Sequence, residues 1–228
     1  KLAKSERETA WREMARQIAH EIKNPLTPMK LSVQHLLRAY DPKKPEESTE
    51  RIKKVVDSII EQIDGLTKIA NEFSNFARIP LPFKENQDLV AIIKNTIVVY
   101  DERDDYKIRL DTKEDDLVLL VDKAQVIQVL NNLIKNAIHA LYNNDDGEII
   151  ITCYSENNSA VVSVSDNGTG INKEVQERLF TPHFTTKTKG SGIGLSVVKQ
   201  IIENHGGEIS FESTETKGST FIFVLPLK

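Results

Sequence analysis

Apolar residues recur at helical spacing through the first third of the chain. Ile18, Ile22, Met29, Val33 and Leu36 fall on one stripe of a helix predicted from about Lys4 to Tyr40. The stretch Asp41-Pro42-Lys43-Lys44-Pro45 ends it, because proline cannot continue the hydrogen-bond ladder. A second helix is predicted from about Pro45 to Arg78, burying Ile52, Val55, Ile59, Ile63, Leu66, Phe73 and Phe76. The pair makes an antiparallel hairpin. Two helices alone leave an apolar stripe uncovered, and a second hairpin covers it economically, so a homodimeric four-helix bundle is expected.

Ile79-Pro80-Leu81-Pro82 interrupts the helical period and marks a linker. Beyond it the period changes repeatedly. Helical segments are predicted near 87–100, 122–144, 172–180 and 193–205, and β-rich runs near 107–112, 117–121, 148–154, 160–165, 208–212 and 219–226. The order is not a regular βαβ repeat, so an α+β sandwich with helices on one face of a mixed sheet is expected rather than a doubly wound fold. The resulting division is a helical domain over 1–79, a linker over 80–86 and a second domain over 87–228.

Composition narrows the classes. The chain has 228 residues, 39% of them hydrophobic, enough for two modest soluble cores. Thirty Lys and Arg stand against 34 Asp and Glu, for a formal charge of −4, so no general attraction to nucleic acid or to an anionic membrane is expected. The single cysteine, Cys153, cannot close an intrachain disulfide, and no Cys/His cluster has zinc spacing, which fits a reducing cytosol. No run of about 18 apolar residues is present, so no membrane contact by this segment is expected. The chain opens on Lys1 rather than Met, and the expectation is a segment of a longer protein.

His20 lies almost opposite the stripe through Ile18 and Ile22 and shares a face with Asn24, four residues on. A solvated histidine is the ordinary reading of such a position, and its neighbours sharpen it. Glu21 can bond one ring N–H, fix the tautomer and raise the basicity of the other nitrogen, which becomes a nucleophile. Pro25 and Pro28 free the carbonyls of Glu21 and Asn24, so a bend is expected beside His20.

Four constellations in the second half suit a nucleotide. Asn132 and Asn136 share a helix face, and their amide oxygens can converge on hydrated Mg²⁺ and phosphate. Asp166-Asn167-Gly168-Thr169-Gly170 follows a strand, where a carboxylate can accept from an adenine amine and glycines admit a flat base. Phe180-Thr181-Pro182-His183-Phe184 offers aromatic anchors for a loop, followed by Thr185, Thr186 and Lys187 that can reach phosphate oxygens. Gly190-Ser191-Gly192-Ile193-Gly194-Leu195 opens a helix whose free N–H groups can cradle phosphate. Each alone is more often a plain turn, helix face or surface loop. Neither the P-loop nor the dinucleotide fingerprint is present.

Taken in order, these strings resemble a known family. His20-Glu21-Ile22-Lys23-Asn24-Pro25-Leu26 is similar to the H box of sensor histidine kinases of the His kinase A type, and the string from Trp11 through Tyr40 resembles the nitrogen-regulation (NtrY-type) subfamily. The later four resemble the N box, first glycine box, F box and second glycine box of the Bergerat-type ATP fold shared with gyrase, Hsp90 chaperones and MutL. Gly218-Ser219-Thr220 is similar to its third glycine element.

The resemblance implies that His20 is the phosphoacceptor, Glu21 its acid/base partner, and Asn24 the residue that positions water during dephosphorylation of a response regulator. It implies ATP and Mg²⁺, with Asn136 the metal ligand and Asn132 supporting it. Asp166 would read adenine, with Gly168 and Gly170 lining the base pocket. Thr186, Lys187, Gly190, Ser191, Gly192, Ile193, Gly194 and Leu195 would form the lid and phosphate contacts, and Thr220 would complete the site. The implied partners are a second copy through the hairpin and a response-regulator receiver domain. The implied location is the cytoplasmic part of an inner-membrane-anchored bacterial sensor.

Two rival readings share the motifs. A chaperone or topoisomerase-type ATPase needs a carboxylate base where Asn132 stands, and an amide is a poor base. A non-enzymatic ATP-binding scaffold would not need the full set of reactive residues. His35, His139, His183 and His205 lack comparable flanking chemistry and are read as structural or peripheral.

Overall fold

The computed structural model describes residues 22–35, 44–77, 80–101, 105–142, 144–181, 184 and 192–227, with side chains between 68 and 77 left aside. It divides after Arg78 into two compact units. His20 and Glu21 lie outside the described residues, as do Thr186, Lys187, Gly190 and Ser191.

The first unit contains α1 (residues 22–35) and α2 (Pro45–Ala77). Helix α1 runs unbroken through Pro25 and Pro28, and Thr27 Oγ1 donates to the Lys23 carbonyl at 3.2 Å. Pro45 occupies the first position of α2, where a missing N–H costs nothing, and Glu46 and Glu47 complement the positive end of the helix dipole. Partly shielded positions recur at Ile22, Pro25, Met29 and Ser32, and again at Ile52, Val55, Ile59, Gln62 and Leu66. That spacing is one packed stripe per helix. Val33 and Ile63, expected on those stripes, are about half exposed at 49% and 48%. They belong with Leu26, Val56 and Ile60 to a second apolar face, since stripes 3.6 residues apart drift around a long helix.

The second unit begins with β1 (Glu85–Asp88), which pairs antiparallel with β3 (Val118–Val121). The last two residues of the segment expected as a linker are therefore strand. A polar Glu-Asn-Gln-Asp strand has no hydrophobic alternation to announce it; only its backbone pairing makes it one. Helix α3 (Leu89–Val98) starts later than expected because Asp88 caps it, accepting from Val90 N at 3.0 Å and Leu117 N at 3.1 Å. Helix α4 (Lys123–Ala140) is capped by Asp122, whose Oδ1 accepts from Ala124 N and Gln125 N.

The remaining strands, β2 (Lys107–Thr112), β4 (Glu148–Glu156), β5 (Ser159–Asp166), β6 (Glu208–Thr214) and β7 (Gly218–Pro226), form one sheet in the order β2-β4-β5-β7-β6. Only β2 and β4 are parallel, so the sheet is mixed, as expected. Every second side chain is buried: Ile149, Ile151 and Cys153 on β4, Val162 and Val164 on β5, Phe221, Phe223 and Leu225 on β7. Those faces meet α3, α4 and α6 (Gly194–Asn204). The short α5 (Lys173–Gln176) gives way to a turn where a helix to 180 was expected. Cys153 is fully buried, and burial pushes its thiol up to about 12, which keeps it protonated and inert.

His205, at the end of α6, is 3% exposed. Its Nδ1 lies 2.8 Å from the Ile201 carbonyl and its Nε2 accepts from Asp122 N at 3.0 Å, so the ring is neutral with the proton on Nδ1. Burial holds its pKa below the usual histidine value; the Ile201 carbonyl pulls it up, Lys84 down and Asp122 up, and burial wins. A histidine whose native pKa is depressed binds fewer protons folded than unfolded. Stability is therefore intact above the ordinary histidine range and falls as pH drops from that range toward the native value. The expected outcome is a melting temperature that declines between about pH 7.5 and 5.5, with a shallower decline in His205→Gln, checked by thermal denaturation at both pH values.

Candidate nucleotide site on one face of α4

Helix α4 buries Val126, Val129, Leu130, Leu133, Ile134 and Ala137 against the sheet and the neighbouring helices. Asn132 and Asn136, at the edge of that buried arc, are each partly exposed on a common face. Asn132 Nδ2 donates to the Gln128 carbonyl at 2.9 Å, so its amide is oriented with Oδ1 outward. A Cβ on Gly194 would sit 2.8 Å from that Oδ1, which puts the start of α6 directly beside Asn132. The residue at the start of α6, Ile193, has an apolar side chain that cannot accept from the first-turn N–H groups. Ile193 is buried, and its carbonyl accepts from Ser196 Oγ at 2.8 Å; Gly192 precedes it with φ 67°. Leu195 lies in the first turn of α6.

The other end of α4 meets the Asp166 loop. A Cβ on Gly168 would lie 2.4 Å from the Ala140 carbonyl, so only glycine lets the loop approach the helix this closely. Thr169 N donates to that same carbonyl at 3.0 Å. Asp166, 7% exposed, accepts from Gly168 N at 2.9 Å. Burial raises its carboxyl above the usual range, against hydrogen bonds from the Gly168 and Ser219 N–H groups that lower it. Gly170 has φ 66°, beside the Thr214 carbonyl. Thr220 pairs across the sheet with Ser165, their hydroxyls 2.8 Å apart.

From Asn132 to Ala140 the helix rises about 12 Å, at about 1.5 Å per residue, a span comparable to a nucleoside triphosphate. The buried carboxylate lies at one end and the N-terminus of α6 at the other. A negatively charged group is favoured at the second and a hydrogen-bond donor at the first. On the preceding turns of α4, Ala124, Ile127, Gln128, Asn131, Asn132 and Lys135 line a separate groove of ≈ 280 Å³. Asn131 there accepts from Tyr100 Oη at 2.8 Å, a support invisible in the sequence because the partners are remote along the chain.

The aromatic anchors expected of the Phe180 segment are present. Phe180 meets Phe211 edge-on with centroids 5.9 Å apart, and Arg178 lies 4.5 Å over the Phe184 ring. A hydrogen-bond hub at Ser213 went unpredicted. Its hydroxyl accepts from Ile171 N at 2.9 Å and donates to the Gly218 carbonyl at 3.0 Å, tying the Asp166 loop to the β6–β7 turn. In the first unit Asn24 is exposed on α1.

Two family signatures match separate stretches of the chain. Residues 10–82 match the His Kinase A (phospho-acceptor) domain, and residues 121–228 match the histidine kinase-, DNA gyrase B- and HSP90-like ATPase. The chain belongs to the sensor histidine kinase family. Among curated relatives it is similar to nitrogen regulation protein NtrY of Azorhizobium caulinodans, 34% identical over 224 residues, covering 96% of this chain and 29% of that protein. It is also similar to sporulation kinase B of Bacillus subtilis, 34% identical over 228 residues, covering 99% of this chain and 52% of that protein. The chain thus spans about a third to a half of these relatives' length. Among solved structures it is similar to the catalytic domain of histidine kinase ThkA, with TM-score 0.57 and 36% identity, covering 63% of this chain and 95% of that one. It also matches the complex of ThkA with response regulator protein TrrA, with TM-score 0.72 and 28% identity, over 98% of this chain and 64% of that one. The NtrY-type resemblance read from the first helix agrees with these relatives. Among the described residues of this sensor histidine kinase, no helix is long and apolar enough to cross a membrane.

Asp166 yields a prediction in which binding and stability move apart. Its raised pKa means the ionised form costs stability, and that cost sets in as pH rises through the interval from the ordinary carboxylate value to the native one. Asp166→Asn keeps an acceptor for Gly168 N–H and removes the buried charge. The expected result is a melting temperature at neutral pH equal to or above wild type, with adenine-nucleotide affinity at least about tenfold weaker because an amide N–H faces the exocyclic amine. Thermal denaturation and titration with a fluorescent ATP analogue check the two halves.

Proposed function

We propose that this chain uses ATP to phosphorylate His20, passes the phosphoryl group to an aspartate of a response regulator, and dephosphorylates that regulator. The observation that carries the reading is the arrangement on α4: Asn132 and Asn136 on one face, between a buried carboxylate at Asp166 and the N-terminus of α6. Asp166 accepts from the adenine amine, with Gly168 and Gly170 admitting the base and Thr220 supporting the carboxylate strand. The N–H groups at the start of α6, with Ser191, Thr186 and Lys187, hold the phosphates.

Mg²⁺ suits the donor set. Among the described residues no group of three or more acidic, histidine or cysteine side chains could hold a metal by itself, so a cation here takes most of its ligands from phosphate and water. Asn136 supplies one amide oxygen and Asn132 supports it. When bound, such an ion offsets charge on the transferring phosphate. Glu21 holds the ring N–H of His20 and leaves the other nitrogen free to attack the γ-phosphorus in line, displacing ADP. Asn24, exposed on the same helix, orients water against the regulator's acyl phosphate without competing as a base.

The dimer reading draws support from Leu26, Val33, Val56, Ile60 and Ile63, a second apolar face left about half exposed on a single hairpin. A receiver domain as partner draws support from the relative ThkA, whose crystal structure holds a response regulator. ATP supply and a buried, reduced Cys153 suit the cytoplasm for this segment, within the membrane-anchored sensor that the resemblance implies.

The test is incubation with γ-labelled ATP. Wild type is expected to acquire an acid-labile, base-stable phosphate and His20→Gln none; equal labelling of the two would falsify the assignment. Asn24→Ala is expected to label normally yet to slow dephosphorylation of the regulator by tenfold or more, read as the decay of phosphorylated regulator over time. Labelling in a mixed dimer of His20→Gln with Asp166→Asn separates transfer between subunits from transfer within one.

A further inference from the structure

The segment that leaves the helical hairpin is gripped by the first turn of α4. Gln125 Nε2 donates to the Pro80 carbonyl at 3.0 Å, and Asp122 Oδ2 accepts from Phe83 N at 3.0 Å. Asp122 is held in turn by His205, whose Nε2 accepts from its backbone N–H, while its Oδ1 caps α4. Three pieces therefore meet at one residue: the connector, the helix that carries Asn132 and Asn136, and the C-terminal end of the helix whose N-terminus faces Asn132. Gln125 is 5% exposed, and its Oε1 has no hydrogen-bond partner among the described residues. A side chain kept buried with one half unsatisfied bears a cost that packing alone would not retain, since leucine could fill the same place. Residues 80–82 also fall within the phosphoacceptor-domain match, which runs to 82, although they lie in the second structural unit, which starts at Ile79.

We propose that Asp122, Gln125 and His205 form a clasp that makes residues 80–83 move as part of the ATP-binding unit, and that this clasp must be closed for phosphoryl transfer to His20 but not for nucleotide binding. This rests on the kinase reading above. Domain movement then has no hinge within residues 80–83. The three residues are positioning residues: they act through the connector and through the seating of α4, not on the reacting atoms. A change in the hairpin reaches α4 through two hydrogen bonds at its first turn, and a loosened connector leaves a nucleotide bound but badly aimed.

Asp122→Asn separates the two jobs of this side chain, because asparagine caps a helix as well as aspartate but has one oxygen instead of two. With the cap kept, the Phe83 amide loses its acceptor and is expected to exchange its hydrogen about fivefold faster or more. The KM for ATP should stay within about twofold while kcat for autophosphorylation falls about fivefold or more. Gln125→Leu, which releases Pro80 and removes the unsatisfied oxygen, should keep the melting temperature and lower kcat in the same direction; the double variant should fall by less than the product of the two. Unchanged kcat in both single variants, or a fall shared equally by ATP affinity, overturns the proposal. A wild type that shows no autophosphorylation overturns the kinase reading instead, while Phe83 exchange still reports whether the clasp exists.

Discussion

Helix α4 has to satisfy two environments at once, and the catalytic unit is arranged around that requirement. Its apolar arc from Val126 to Ala137 must be removed from water against the sheet and the helices beside it, and this burial fixes its rotation about its own axis. Once the rotation is fixed, the remaining polar edge can point in one direction only. Asn132 and Asn136 therefore share one face, and the bond from Asn132 to the Gln128 carbonyl orients its amide further. Close approach then places its neighbours: Gly168 lies against the Ala140 backbone at the C-terminal end of the helix, and Gly194 against the Asn132 side chain at its middle, where a larger residue would clash.

The site holds groups that cost the fold something. The Asp166 carboxyl is buried and raised in pKa, and Ile193 at the start of α6 has a side chain that cannot accept from the first turn. On the proposed reading, these groups serve as an acceptor for an amine and donors for phosphates. The surrounding network shows where rigidity is supplied in return. Ser213 ties the Asp166 loop to the β6–β7 turn, and the Ser165–Thr220 pair stiffens the strand that carries the carboxylate. His205 and Asp122 lock the C-terminal end of α6 to the start of α4. The same Asp122 side chain accepts from Phe83 N, so residues 80–83 are tied to the first turn of α4.

Much of this was legible along the chain. Helical and strand periods located nearly all the elements of the second unit, because a sheet covered on one face must alternate and a helix lying on it must repeat every three to four residues. The H-box and glycine-box strings stood out because such motifs pair particular residue types at short, fixed spacings, and short spacings survive in one dimension. The capping role of Asp122 was readable for the same reason. Strand β1 was not, since a polar four-residue edge pairs through backbone alone. Nor was the half-exposed face through Val33 and Ile63, because assigning an apolar residue to one of two adjacent stripes depends on how the helices cross.

The sequence by itself determined the chemistry on offer and the local geometry that spacing dictates: which side chains can attack, accept, coordinate or cap, and which share a helix turn. Only the tertiary structure decided which distant groups meet. Asp122 is 83 residues from His205 and 39 from Phe83, Gln125 is 45 from Pro80, and Tyr100 is 31 from Asn131. No local propensity encodes such pairs, because each forms only after the sheet and its helices have closed around the same core. That is why a histidine read only as structural or peripheral, with no chemistry beside it in the chain, turns out to be a buried neutral bridge between α4 and α6.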